Sequence, residues 1–167
     1  MILYPKLYCE KVTDIEVEYL KENNIKALIL DVDNTLIDFE RNLLDGVKEW
    51  KIKLEKNDIS CMILSNSNKV DKVKTVAEAI EVPYIFFATK PLKRGFLKAQ
   101  KQLDLPFENI GVVGDQIFTD VIGANRCKMF PILVHPIAEK DYLITKIKRP
   151  LENLVIKKYL KTIEKKG

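Results

Sequence analysis

Long apolar runs are missing from this 167-residue chain. Nothing in it approaches the roughly 18 consecutive uncharged apolar residues that a membrane-crossing helix requires, so no such helix is expected. The opening residues, Met1-Ile2-Leu3-Tyr4-Pro5-Lys6, hold no basic stretch followed by a long apolar one, which disfavours a secretory signal. Cysteine is scarce. Cys9, Cys61 and Cys127 are scattered, odd in number and form no CxxC pair. That argues against a disulfide framework or a zinc site and suits a reducing, cytoplasmic setting. The one histidine, His135, reads first as a structural residue, and Trp50 and the cysteines as core packing. No repeat or low-complexity segment is visible. What is present, 47% apolar and 31% charged residues, is the composition of a globular protein long enough to bury a core as one domain over residues 1–167.

Charge is modest in total, +4, and uneven in placement. From Glu139 to Gly167 there are nine Lys/Arg against four Asp/Glu, so this tail carries +5 on a nearly neutral body. A basic tail attracts anionic membrane or nucleic acid; a solvated helix face gives the same count. The tail's aromatics are Tyr142 and Tyr159, with no basic–aromatic alternation on which bases would stack. Nucleic acid is therefore disfavoured as a partner.

Short apolar runs alternate with helical spacing, which predicts an α/β fold with a mostly parallel sheet. Five strands are expected, near 27–30, 59–64, 84–87, 110–113 and 132–134. Thr13-Asp14-Ile15-Glu16 has the capping-box spacing, so a helix is expected to open there and run to about Asn23. Further helices are expected at 45–56, 70–80, 93–103 and 120–126. Pro150 suits the first turn of a last, basic helix at about 150–165, since its missing N–H would be unpaired there anyway. Leu151, Leu154, Val155 and Tyr159 would share one face of it, with Lys157, Lys158 and Lys161 largely elsewhere.

In open parallel sheets ligands bind beyond the carboxyl ends of the strands, and four polar clusters in this chain follow strands. The first is Asp31-Val32-Asp33-Asn34-Thr35. Two carboxylates leaving a buried strand are costly unless paired or metal-bound. Such a pair divides labour, one attacking as nucleophile and the other moving protons; taken alone, it also suits a turn or a helix cap. The second is Ser65-Asn66, a candidate hold on a phosphate oxygen or a capping loop. The third is Thr89-Lys90-Pro91-Leu92-Lys93-Arg94, where a lysine would neutralise a phosphate's negative charge. The fourth runs from Gly114-Asp115 to Thr119-Asp120, a tight turn followed by two carboxylates suited to Mg²⁺, which takes hard oxygen ligands. Four such clusters in order, each at a strand end, are hard to explain as structure alone.

With these motifs the chain resembles the haloacid dehalogenase (HAD) superfamily of phosphatases, over about residues 26–135. The resemblance implies a Rossmann-like fold and Mg²⁺-dependent hydrolysis of phosphomonoesters. By it, Asp31 is the nucleophile that becomes an aspartyl phosphate, and Asp33 protonates the leaving oxygen and then activates water. Ser65 and Lys90 hold the transferring phosphoryl group, with Thr35 and Asn66 beside the substrate. Asp31, the Asp33 main-chain carbonyl and Asp115 bind the metal, with Asp120 orienting its water or standing just behind. Residues 20–26, 89–93 and 145–149 further resemble the YqeG-type (IIIA) branch, whose members include phosphatases of phosphatidylglycerophosphate.

The gaps from Thr35 to Ser65 and from Ser65 to Lys90 are too short for an inserted domain, so a capless, uncovered site is expected. A substrate that brings its own cover would fit it, above all a lipid head group at a bilayer, with the basic tail docking peripherally on anionic lipid. The tail's leucines packing on the core is the competing expectation. A sugar phosphate, nucleotide or phosphoprotein is the alternative substrate, and a catalytically silent binding module the alternative class.

Overall fold

The structure, a computed structural model, describes residues 1–137 and 143–165, with side chains of the last helix given from residue 148 onward. The tail's Glu139–Tyr142 and Lys166–Gly167 thus lie outside the described residues, as do the side chains of 145–147. The chain runs β1 (Leu7–Cys9), α1 (Val17–Glu22), β2 (Ala27–Leu30), α2 (Val47–Glu55), β3 (Ser60–Leu64) and α3 (Val70–Ala79). It continues through β4 (Tyr84–Ile85), α4 (Lys93–Leu103), β5 (Ile110–Gly114), α5 (Ile122–Arg126), β6 (Phe130–Val134) and α6 (Leu143–Glu164).

All six strands are parallel, in the order β1-β6-β5-β2-β3-β4. β2 is an unbroken apolar run, and β3 is one after Ser60, because both faces are covered. In β2, Leu28 and Leu30 join the layer of Trp50, Leu54 and Val73, while Ile29 faces Phe96, Ala99 and Ala124 on the other side. The chain winds outward from β2 through β3 to β4, then returns to place β5 on the opposite side of β2. The crevice between β2 and β5 is the switch point where such sheets bind ligands. The β2–β3 connection holds a loop and α2, and the β3–β4 connection holds α3. Neither adds a domain. No helix among the described residues is long and apolar enough to cross a membrane.

The α/β class and parallel sheet agree with the sequence reading, while four details depart from it. Among the described residues there are six strands, because β1 pairs with β6 (Leu7 opposite Ile132) from the far end of the sequence. Three half-buried residues carry no periodic signal of their own. The capping-box spacing at Thr13 does not open α1: a 3-10 turn covers Val12–Asp14, Ile15 is extended, and α1 begins at Val17. Ile15 lies in the core and its carbonyl accepts the Trp50 indole N–H at 3.0 Å, so tertiary packing overrides the local signal. The strand at 84–87 stops at Ile85, leaving Phe86 and Phe87 exposed.

The last departure is α6, which starts at Leu143 and holds Pro150 inside it. An interior proline costs about 3 kcal/mol, so contacts made by the helix must offset it. Its buried face is also different. Glu152 and Tyr159 are buried and Val155 and Ile156 half-buried, whereas Leu151 and Leu154 are 55% and 53% exposed. A carboxylate takes the inward position because it has buried main-chain N–H groups to accept, described below.

Candidate active site

β2 delivers Asp31 to the switch point. Its N–H still donates to the Val113 carbonyl at 2.9 Å, so the backbone stays zipped to β5 one residue past the strand. β5 ends at Gly114. A Cβ there would stand 2.2 Å from the Asp120 carboxylate, so only glycine lets that side chain fold back against the strand end. Beyond Gln116 a π-helical turn, Ile117–Val121, carries Asp120 inward, and its Oδ2 accepts the Gln116 N–H at 3.2 Å. One oxygen each from Asp31, Asp115 and Asp120 lie within 4.8 Å of one another.

Such close carboxylates repel, and Lys90 answers two of them. Its Nζ lies 2.9 Å from Asp31 Oδ1 and 2.6 Å from Asp120 Oδ1, with the lysine only 6% exposed. Asn66 fixes its backbone: the Lys90 N–H donates to Asn66 Oδ1 at 2.6 Å, and Asn66 Nδ2 donates to the Lys90 carbonyl at 3.0 Å. The Lys90–Pro91 peptide is cis. Ser65 is buried at the end of β3, its Oγ accepting the Ser67 N–H at 3.2 Å. Thr35 is buried with no hydrogen-bond partner at Oγ1. Asp33 stands apart from the carboxylate cluster. Lys72, on α3, donates to both its oxygens at 2.7 and 2.8 Å, and its side chain is half-exposed.

Burial drives the electrostatics. Desolvation pushes the Asp31 carboxyl up to about 6, against the lowering pull of Lys90 and with help from Asp120. Asp115 rises to about 8 through burial and the charges of Asp31 and Asp120, opposed by Arg149. Burial works against the Lys90 ammonium too, yet Asp120 and Asp31 together outweigh it and raise its pKa. Asp115 Oδ1 is buried without a hydrogen-bond partner, while Oδ2 accepts from Arg149. Hard oxygen ligands short of positive charge, with one buried oxygen unanswered, fit a divalent cation.

Asp31, Lys90, Asp115 and Asp120 thus converge, with Ser65 and Asn66 supporting the lysine's loop. The sequence reading missed Lys72, Arg149 and Glu152. Arg149 was legible as a charge in a basic tail and as the end of the family-like segment 145–149, but nothing local says which basic residue turns inward. Beside Asp115 opens a cleft of about 460 Å³. Its walls include Tyr8, Leu133, His135, Arg149, Ile156 and Lys157, and the Tyr8 hydroxyl lies 3.3 Å from His135 Nδ1.

Residues 1–137 match the model of the family described as mitochondrial PGP phosphatase. A curated relative from Bacillus subtilis (strain 168), named "Probable phosphatase YqeG", is 35% identical over 98% of this chain and 92% of its own. Among solved structures, an uncharacterized protein from Listeria monocytogenes serotype 4b is similar at TM-score 0.55 and 19% identity, covering 71% of this chain and 86% of that one. The D,D-heptose 1.7-bisphosphate phosphatase of B. bronchiseptica, complexed with magnesium and phosphate, is similar at TM-score 0.52 and 19% identity, covering 65% and 80%. At those identities the structures support the fold alone. The family match and the relative reach further: this chain belongs to the PGP phosphatase family, as a YqeG-type phosphatase.

Proposed function

We propose that the protein hydrolyses a phosphomonoester through an aspartyl phosphate on Asp31, and that its substrate is phosphatidylglycerophosphate. The observation that carries the mechanism is the buried Asp31–Lys90–Asp120 array beside Asp115. The Asp31 carboxylate attacks phosphorus as the ester bond to the leaving alcohol breaks, and Asp33 gives that oxygen its proton. Asp33 then takes a proton from the water that attacks the aspartyl phosphate, releasing inorganic phosphate and restoring Asp31. Lys90, with Ser65 and the Thr35 and Asn66 segments, neutralises and orients the phosphoryl group, and Asn66 does so through the Lys90 backbone it holds. Asp31, Asp115 and the Asp33 main-chain carbonyl, with Asp120 beside them, would hold Mg²⁺, which would neutralise the charge built up in transfer. Lys72 pairs with Asp33, whose side chain stays half-exposed and open to an entering ester.

The lipid reading rests on how apolar the uncovered surface is. Phe86 and Phe87 are 43% and 62% exposed on the segment that leads to Lys90, and Leu92, just beyond it, is 56% exposed. Leu151 and Leu154 are exposed on α6, which also presents Lys157, Lys158 and Lys161 outward. Each basic residue near an anionic bilayer contributes about 1 kcal/mol, so apolar and basic contacts together support peripheral docking from the cytoplasmic side. The whole chain, residues 1–167, acts as one capless unit.

The test is phosphate release from phosphatidylglycerophosphate in mixed micelles, with and without Mg²⁺, beside Asp31→Asn. Mg²⁺-dependent release that vanishes in the variant supports the full reading. If the lipid is ignored while an aryl phosphate is cleaved through Asp31, the mechanism stands and the lipid falls. No turnover of either would leave a binding module.

A further inference from the structure

The family match ends at residue 137, yet α6, beyond it, reaches into the acidic cluster. Arg149 Nη2 donates to Asp115 Oδ2 at 2.6 Å, and Nη1 donates to the Asp115 main-chain carbonyl at 3.0 Å. One turn later Glu152 Oε1 accepts the N–H groups of Ile117 and Phe118 at 2.9 and 3.4 Å. Glu152 Oε2 stands 3.4 Å from Arg149 Nη1, tying the two together. These contacts are shielded from water: the Asp115 side chain is 0% exposed, that of Glu152 3% and that of Arg149 17%.

The consequence is geometric. A carboxylate on a loop can rotate and can present either oxygen. Here one planar guanidinium grips both Asp115 Oδ2 and the carbonyl of the same residue, which fixes the side chain against its own backbone. A single ammonium has no such fork. Oδ1 is then the oxygen left over, buried and without a hydrogen-bond partner. It belongs to the residue that closes the cluster with Asp31 and Asp120.

We infer that Arg149 is a positioning residue of the metal centre: it locks Asp115 so that one carboxylate oxygen faces the cation, and Glu152 locks the loop that follows. On this view α6 is part of the catalytic unit. The inference rests on the divalent-metal reading of the cluster.

Isothermal titration of Mg²⁺ into the full chain at fixed pH separates the two claims. Arg149→Met is expected to weaken Mg²⁺ binding at least tenfold, and Arg149→Lys to fall between it and the unaltered chain. Tyr159→Ala loosens α6 elsewhere, at the residue packed edge-on against Tyr4 with 5.6 Å between ring centroids. It should lower the thermal midpoint while keeping the Mg²⁺ Kd within twofold. Should Arg149→Met also keep its Kd within twofold, or Tyr159→Ala weaken Mg²⁺ as much as Arg149→Met does, the guanidinium is only a helix anchor and the inference is wrong. If Arg149→Met does not fold, Arg149→Lys with an unchanged Kd overturns it equally. Absence of Mg²⁺ binding to the unaltered chain would remove the metal reading itself, and this inference with it.

Discussion

At the scale of single residues, the cost of burying negative charge governs this site. Asp31 and Asp115 share an ordinary value of 3.8 and are pushed to about 6 and about 8 in the folded chain. A raised carboxyl favours the fold fully only below its unfolded value, and that advantage is lost as pH climbs through the folded value. The thermal midpoint of the metal-free protein should therefore fall between about pH 4 and pH 8. Added Mg²⁺ should raise the midpoint most at the upper end, where both carboxylates are charged. A metal-free midpoint that climbs steadily over this range would contradict the assignment. Gly114 makes a second residue-scale case. Its Cβ would collide with Asp120 at 2.2 Å, and Asp120 is bonded to Lys90. Gly114→Ala should lose about 1–3 kcal/mol in denaturant unfolding and lower phosphate release, because Lys90 is drawn off with its partner.

At the scale of elements, α6 works on two sides. Its inner face is Glu152, Val155, Ile156 and Tyr159; outside stand Leu151 and Leu154, with lysines nearby. If that outer face meets a bilayer, Leu151→Ser with Leu154→Ser should lower retention on anionic phospholipid vesicles severalfold in a sedimentation assay. The ratio of lipid to aryl phosphate turnover should fall with it. Unchanged retention would assign docking elsewhere, with Phe86, Phe87 and Leu92 next to be tested. Raising salt should weaken the basic share of binding and spare the apolar share.

At the scale of the whole molecule, the parallel sheet explains why residues far apart in sequence converge. Asp31 follows β2, Asp115 follows β5, and these strands are neighbours only because the chain reverses its winding after β4. Ser65 and Lys90 follow β3 and β4 on the other side, so the site spans the carboxyl edge from the switch point outward. The cleft beside Asp115 lies toward β6 and β1, and α6 forms its wall.

Much of this was legible in the sequence, for identifiable reasons. Asp31, Asp33, Lys90, Asp115 and Asp120 each stand just past a strand or in the turn beyond it, so reading strands from apolar runs also located the polar edge. β2, and β3 after Ser60, are apolar throughout because they are buried on both faces, a pattern that survives without any partner being known. Gly114 was legible as a turn residue at the strand end, though it is Asp120, folding back from the next turn, that leaves no room for a Cβ there. What the tertiary structure decided is what depends on distant partners. β1 exists because β6 offers it an edge. Ile15 is extended because Trp50 takes its carbonyl, and α6 runs through Pro150 with Arg149 and Glu152 bonded to the 115–118 loop on either side of it. The same long-range pairing turned one basic residue of a charged tail inward to the acidic cluster and left two leucines outside. Sequence periodicity records which residues avoid water; it cannot record which partner a buried charge will find, because that partner is supplied by a fold closing over the whole chain.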